Sequence, residues 1–340
     1  MRGAVLYGPR DVRFEERETP KIVKPTDAII RISATCVCGS DLWPYRGIQP
    51  IAQPTPMGHE YCGIVEEVGS AVTSIKPGQF VIGSFFASDN SCPNCQIGYQ
   101  SSCQHAEFVG TAQAPLLRVP LADGTLVTTP DVPSGEMVPS LLALSDVMGT
   151  GWFAADAANV KPGSTVVVVG DGAVGLLGVL SAKQMGAERI IAMSRHQSRQ
   201  KLAREFGATD IVTERGVDGM ARVKELTRGI GADSVLECVG TQESMMQAIT
   251  SAPKGGYVSY VGVPHGVELD GENLFYAHVH LHGGPAPVRR YLPDLINLVW
   301  NKKINPGKVF DLTLPLDQVA EGYHAMDERR AIKTLLRPTR

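Results

Sequence analysis

The stretch Thr165-Val166-Val167-Val168-Val169-Gly170-Asp171-Gly172-Ala173-Val174-Gly175 decides how this chain is read. Four consecutive valines suit a strand covered on both faces, the situation of a parallel sheet. Three glycines follow at the spacing Gly-x-Gly-x-x-Gly, and Val179-Leu180-Ser181-Ala182-Lys183-Gln184-Met185 continues in residues compatible with a helix from about Ala173. Strand, glycines and helix in this order form a dinucleotide-binding fingerprint. The glycines allow a tight turn, let backbone N–H groups approach a pyrophosphate, and let the helix pack closely on the strand. Gly170, Gly172, Ala173, Val174 and Gly175 are therefore candidate cofactor-binding residues.

The same rhythm continues downstream. Arg189-Ile190-Ile191-Ala192-Met193 reads as a second strand, followed by a helix ending near Gly207, and strand-like runs recur at Ser234 to Val239 and Tyr257 to Val263. Strands alternating with helices predict a doubly wound α/β sheet of the Rossmann kind. In such folds an acidic residue about 20 positions after the glycines commonly hydrogen-bonds the ribose hydroxyls. Here the second strand ends in Met193-Ser194-Arg195-His196, with no carboxylate on that strand end to repel a 2′-phosphate. Arg195 supplies a planar cationic fork and Ser194 a hydroxyl, so NADP(H) is expected over NAD(H), with Arg199 one helical turn on as a second cation.

A chain of 340 residues is too long for one ordinary core, so two domains are expected. Upstream of the valine run, short apolar stretches such as Ala28-Ile29-Ile30-Arg31-Ile32 and Gly63-Ile64-Val65-Glu66-Glu67-Val68 are separated by turn residues and predict a β-rich half. After Pro287, a helix through Leu295 to Trp300, another near Asp317 to Met326, and a closing run Ile332 to Leu336 make a tail too short for its own core. It is expected to pack on the first half. Hydrophobic content of 43% with 20% charged residues is that of a folded globular chain. A net charge of -3 supplies no broad positive field for nucleic acid or an anionic membrane, which leaves a small molecule as the expected partner. No apolar run spans a bilayer, and Met1-Arg2-Gly3-Ala4-Val5-Leu6-Tyr7 turns polar too soon for a signal peptide, so the expected location is cytoplasmic.

Seven cysteines make an odd number, and Cys92, Cys95 and Cys103 crowd together, which in a reducing compartment points to metal ligation over disulfides. Cys36, Cys62 and Cys238 have no such context and read as buried thiols. In the β-rich half, Cys38-Gly39-Ser40-Asp41 is followed by Gly58-His59-Glu60-x-x-Gly63-x-x-x-x-x-Gly69-x-x-Val72. In these motifs, and in the order of its segments over nearly its whole length, the chain resembles the zinc-dependent medium-chain alcohol dehydrogenases.

That resemblance implies a GroES-like β-rich catalytic domain of residues 1–149 and 288–340, with a Rossmann NADP-binding domain of residues 150–287 inserted. It makes Cys38 and His59 ligands of a catalytic zinc, and Asp146 in Leu144-Ser145-Asp146-Val147 the third, leaving a position open for substrate. Glu60 would be a mobile fourth ligand or a carboxylate behind the others. Ser40 matches the family's proton-relay hydroxyl. Asp89, Cys92, Cys95 and Cys103 repeat the spacing of a structural zinc lobe, with Asp89 where a cysteine is usual. Carboxylate oxygen is an acceptable zinc ligand, so a Cys3Asp site is chemically sound.

The implied activity transfers hydride between NADP(H) and a secondary alcohol or ketone, with zinc as the Lewis acid. Relatives often carry a histidine where this chain has Trp43; either the proton relay runs through the cofactor ribose and water, or Trp43 walls the substrate pocket with Tyr45 nearby. His278, His280 and His282 would share one strand face, roughly 7 Å apart and too far to chelate one ion. The resemblance puts that strand at a dimer contact, within a homotetramer or a dimer. A polyol or amino-alcohol dehydrogenase fits the same motifs. A zinc-free quinone or enoyl reductase would lack the Cys38, His59 and Asp146 set, and a non-enzymatic dinucleotide-binding protein would have no use for it.

Overall fold

The computed structural model of the chain describes residues 1–338. The chain forms two compact units, Met1–Gly149 with the tail from Pro287, and Thr150–Ala286.

In the second unit, the valine run forms the strand Thr165–Val169 at the middle of a six-stranded parallel sheet. Its neighbours are Arg189–Met193, paired Val166 to Ile190, and Ser234–Glu237, paired Val166 to Ser234. Asp210–Val212 lies outside the former, and Tyr257–Tyr260 and then His280–Gly283 outside the latter. In sequence order the sheet therefore runs 3-2-1-4-5-6. The strand order reverses direction beside Thr165–Val169, and ligands of open α/β sheets bind at the strand ends flanking such a reversal. The valine strand is deeply buried, with Val166, Val167 and Val168 fully so, and each such side chain contributes about 1.5–3 kcal/mol.

Two expected strands end early. The Ser234 strand stops at Glu237 because the Glu237 carboxylate accepts from the N–H groups of Val239 and Gly240, both at 2.8 Å, and draws the chain out of the ladder. The Tyr257 strand stops at Tyr260, before the close approach of Gly262 to the Gly240 backbone, where a Cβ would stand 2.2 Å from nitrogen. The histidine reading needs a correction. His278 ends the helix Gly271–Ala277 in a left-handed conformation, φ 53°, so only His280 and His282 share the strand.

In the first unit, Ala28–Cys36 lies within a seven-stranded sheet, between Tyr61–Val68 and Thr334–Arg337. The tail thus completes this sheet, pairing Leu335 with Cys36 and Leu336 with Thr35. Val37, Leu42, Tyr45, Leu316, Val319, Tyr323 and Leu336 share one buried cluster, so the tail has no separate core. Tyr45 is buried there against the Tyr323 ring, 5.3 Å between centroids, and belongs to this packing rather than to a pocket wall. Among the described residues no helix is long and apolar enough to cross a membrane.

Candidate functional site

The strand Ala28–Cys36 delivers Cys38 to the turn Cys38-Gly39-Ser40-Asp41, whose geometry is set by its own side chain: Asp41 Oδ2 accepts from Cys38 N–H at 2.9 Å. His59 stands just before the strand Tyr61–Val68. The preceding Gly58 has φ +97°, and a Cβ there would meet Gln113 at 2.5 Å, so the chain enters the site only with glycine at this point. Asp146 comes from the segment after the helix Val138–Ala143.

These elements bring one ligand atom each from Cys38, His59, Glu60 and Asp146 within 4.8 Å of one another, all four residues buried. Cys38 Sγ is 3.6 Å from Asp146 Oδ2, and His59 Nε2 is 3.3 Å from the same oxygen. Ser40 Oγ lies 3.4 Å from His59 Nε2. The other ring nitrogen, Nδ1, faces Asp41 Oδ1 at 3.2 Å, which fixes the ring and leaves Nε2 turned toward the cluster. Asp41 is itself held by Gln113 Nε2 at 3.4 Å, and Gln113 accepts from the Tyr323 hydroxyl at 3.1 Å.

Glu60 reaches the opposite way with one oxygen. Its Oε1 accepts from Lys333 Nζ at 2.6 Å, a pair that is almost wholly buried, while Oε2 is buried with no hydrogen-bond partner among the described residues. Burial works against the charge on Lys333, but Cys36, Glu60 and Cys38 outweigh it and hold the ammonium well above its ordinary pKa. Burial likewise pulls His59 down, while Asp41, Cys38 and Asp146 push it well above its usual range. Two carboxylates and a thiol converging in a dry pocket repel one another once ionised, and a divalent cation relieves this. Sulfur, imidazole and carboxylate donors, plus an unsatisfied buried oxygen, fit zinc. Aromatic rings border the cluster: Phe108 and Phe85 lie 5.7 and 6.1 Å from the His59 ring.

A second group sits on the lobe around the short helix Pro93–Gln96. Ligand atoms of Asp89, Cys92, Cys95 and Cys103 also lie within 4.8 Å of one another. Cys92 Sγ is 3.5 Å from Cys95 Sγ and 3.8 Å from Cys103 Sγ, and all are free thiols. Backbone N–H groups donate to the sulfurs, Gln104 to Cys92 at 3.5 Å and Asp89 to Cys103 at 3.4 Å. The Gln104 bond draws the Cys92 thiol down to about 7. Asp89 Oδ2 also meets His105 Nδ1 at 2.6 Å. Of the remaining thiols, Cys36 and Cys62 are buried, but Cys238 is only partly so.

In the parallel-sheet unit, Gly170 has φ +117°, and a Cβ on Gly175 would strike Gly170 O at 2.1 Å. Gly172 opens the helix Ala173–Gln184 with no side chain capping it and open space where its Cβ would be. The uncapped first turn at Ala173 and Val174 is a cradle for an anion and fits a dinucleotide pyrophosphate. Ser194 is buried and Arg195 exposed at the end of the second strand. One feature of this strand end was not expected: Ser194 Oγ donates to Asp171 Oδ2 at 2.8 Å, and Arg199 Nη1 lies 3.3 Å from Asp171 Oδ1. A carboxylate is therefore beside the strand end after all, supplied by the glycine loop.

Comparison with known proteins agrees with this arrangement. The alcohol dehydrogenase GroES-like domain matches residues 24–141, and the zinc-binding dehydrogenase domain matches residues 173–301. Zinc-type alcohol dehydrogenase B of Aspergillus flavus is 34% identical over 99% of this chain and 81% of its own. The chain belongs to the zinc-dependent medium-chain alcohol dehydrogenases. An alcohol dehydrogenase of Cupriavidus necator is 30% identical over 99% of both chains. The solved alcohol dehydrogenase TADH from Thermus sp. ATN1 superposes on this alcohol dehydrogenase with a TM-score of 0.90 at 29% identity, covering both chains fully. The enzyme thus combines a GroES-like domain with a Rossmann-like parallel sheet, and its family implies zinc and a nicotinamide dinucleotide. Asp41, Gln113 and Lys333 are the site residues that motif reading passed over. Asp41 closes the Cys38-Gly39-Ser40-Asp41 motif, and its spacing of three from Cys38 is the available signal; Lys333 and Gln113 carry none.

Proposed function

We propose that this alcohol dehydrogenase is an NADP(H)-preferring enzyme that interconverts a secondary alcohol and a ketone, working in the cytoplasm as a homo-oligomer, a tetramer or a dimer. The cofactor preference is carried by one observation: the second strand ends in an exposed Arg195 and has no acid of its own. When bound, zinc acts as a Lewis acid on the alcohol or carbonyl oxygen, and the nicotinamide takes or gives hydride.

The protein's residues divide the remaining work. Cys38, His59 and Asp146 hold the catalytic ion, with Glu60 Oε2 available as a further donor while Lys333 anchors the other oxygen. Asp41 keeps the His59 ring in its ligating tautomer. Ser40, beside His59 Nε2, carries the hydroxyl proton outward. Asp89, Cys92, Cys95 and Cys103 hold a second, structural zinc. Gly170, Gly172, Ala173, Val174 and Gly175 receive the pyrophosphate, and Arg195, with Ser194 and Arg199, the 2′-phosphate.

The apolar rings of Phe85 and Phe108 favour a carbon with hydrophobic substituents over a polyol, whose extra hydroxyls would lose hydrogen bonds to water there. A panel of ketones, alcohols and polyols with NADPH and NADH, run before and after zinc removal, tests this reading. Ketone reduction with NADPH should dominate and vanish with the metal. In Arg195→Ala the ratio of NADPH to NADH efficiency should fall about tenfold or more; an unchanged ratio rejects the cofactor assignment.

A further inference from the structure

The two groups that would assist Arg195 in holding a 2′-phosphate are already engaged. The Ser194 hydroxyl donates to Asp171 Oδ2 at 2.8 Å, and Arg199 Nη1 lies 3.2 Å from the Asp171 carbonyl and 3.3 Å from Oδ1. The pair is largely withdrawn from water, with side-chain exposures of 12% for Arg199 and 16% for Asp171. Asp171 is the first residue between the glycines of the dinucleotide loop, so its carboxylate reaches the end of the second strand from the loop rather than along the strand.

We propose that Asp171 is a specificity-determining residue that restrains selection of NADP(H) over NAD(H). Its carboxylate takes the one hydroxyl donor of Ser194 and pairs with Nη1 of Arg199, and it stands as a like charge beside any phosphate that Ser194 would bind. A phosphate seated at Ser194 must displace Asp171 from the hydroxyl and compete with it for the Arg199 guanidinium. A free 2′-hydroxyl faces neither demand, and a carboxylate at this strand end is a fitting acceptor for it. Arg195 and Asp171 thus act in opposite directions on one discrimination. This inference rests on the reading of Arg195 as the phosphate-binding cation.

Calorimetric titration of the full chain with 5′-AMP and with 2′,5′-ADP isolates the effect, because the two probes differ only by the 2′-phosphate and neither turns over. In Asp171→Asn, which removes the charge and keeps the shape, the ratio of 2′,5′-ADP affinity to 5′-AMP affinity should rise about tenfold or more. Asp171→Ala, which frees the Ser194 hydroxyl and leaves Arg199 only its bond to the backbone carbonyl, should show the same direction. A ratio unchanged or lowered in both variants overturns the proposal, the lowered case meaning that Asp171 positions Arg199 for the phosphate. Arg195→Ala measured alongside separates the two ideas. A ratio unaffected by Arg195→Ala removes the NADP(H) reading while a rise in Asp171→Asn still upholds the role of Asp171.

Discussion

Asp41 never enters the ligand cluster, yet it sets the orientation of His59 through Nδ1 and the position of Cys38 through its backbone N–H. Replacing Asp41 by Asn leaves the size and removes the charge that fixes the ring. Groups behind metal ligands typically change metal affinity or activity by about 10–100-fold when mutated. Asp41→Asn should therefore weaken zinc retention or lower kcat by that order, read by dialysis against a chelator with metal analysis; wild-type retention and turnover would contradict it. Asp27 offers a test of stability instead. It is fully buried and accepts from Val23 and Lys24 N–H at 3.0 and 2.8 Å and from Arg118 Nε at 2.6 Å. Burial alone would raise its pKa, but Arg118 and the two backbone donors hold it below the ordinary carboxylate value. A group depressed on folding stabilises above its unfolded pKa and loses that contribution as pH falls through the folded one. Asp27→Asn should cost about 2–3 kcal/mol at neutral pH. The gap in urea midpoint should narrow below about pH 4; a gap that stays constant with pH would show that the charge is not what stabilises.

At the scale of elements, the parallel sheet was legible because a buried strand needs unbroken β-branched residues and the loop after it needs glycines, both written locally. The convergence of Cys38, His59, Glu60 and Asp146 was legible for a related reason: thiol, imidazole and carboxylate are few, and their spacing repeats a pattern. What escaped was long-range or conformational. His278 is missing from the strand because it is itself the left-handed residue that ends the preceding helix. Asp171 was invisible at the second strand because that reading followed the strand, whereas the side chain arrives from the loop. Lys333 meets Glu60 across 273 positions, a distance over which no local pattern operates. The lobe around Pro93–Gln96 carries its own prediction. Cys92 and Cys103 already accept backbone N–H bonds, and the three cysteines form a small buried cluster of their own, so a metal there would lock the segment. Cys103→Ser should reduce zinc from two ions per chain to one and lower the thermal midpoint, with most of the turnover number retained before inactivation. A preparation of the wild type with a single zinc and full activity would remove the second ion.

For the whole molecule, the Gly271–Ala277 helix leaves Phe275 and Tyr276 77% and 64% exposed, beside the edge strand His280–Gly283 in sequence. Large aromatic side chains in solvent mark association surfaces. Sedimentation velocity should give a tetramer or dimer for the wild type and a smaller species for Phe275→Asp with Tyr276→Asp; identical sedimentation of the two would place the interface elsewhere. The return of the tail to the first unit has another consequence. The strand Thr334–Arg337 and Lys333 are synthesised after the whole parallel-sheet unit, yet the strand completes the sheet that leads to Cys38 and Lys333 is the counterion of Glu60. On the ribosome the inserted unit can fold while its host is still open, and a nascent chain stalled before Lys333 would carry an acid without its cation. Completion of the sheet behind Cys38 is thereby a late event, one that follows synthesis of the inserted unit.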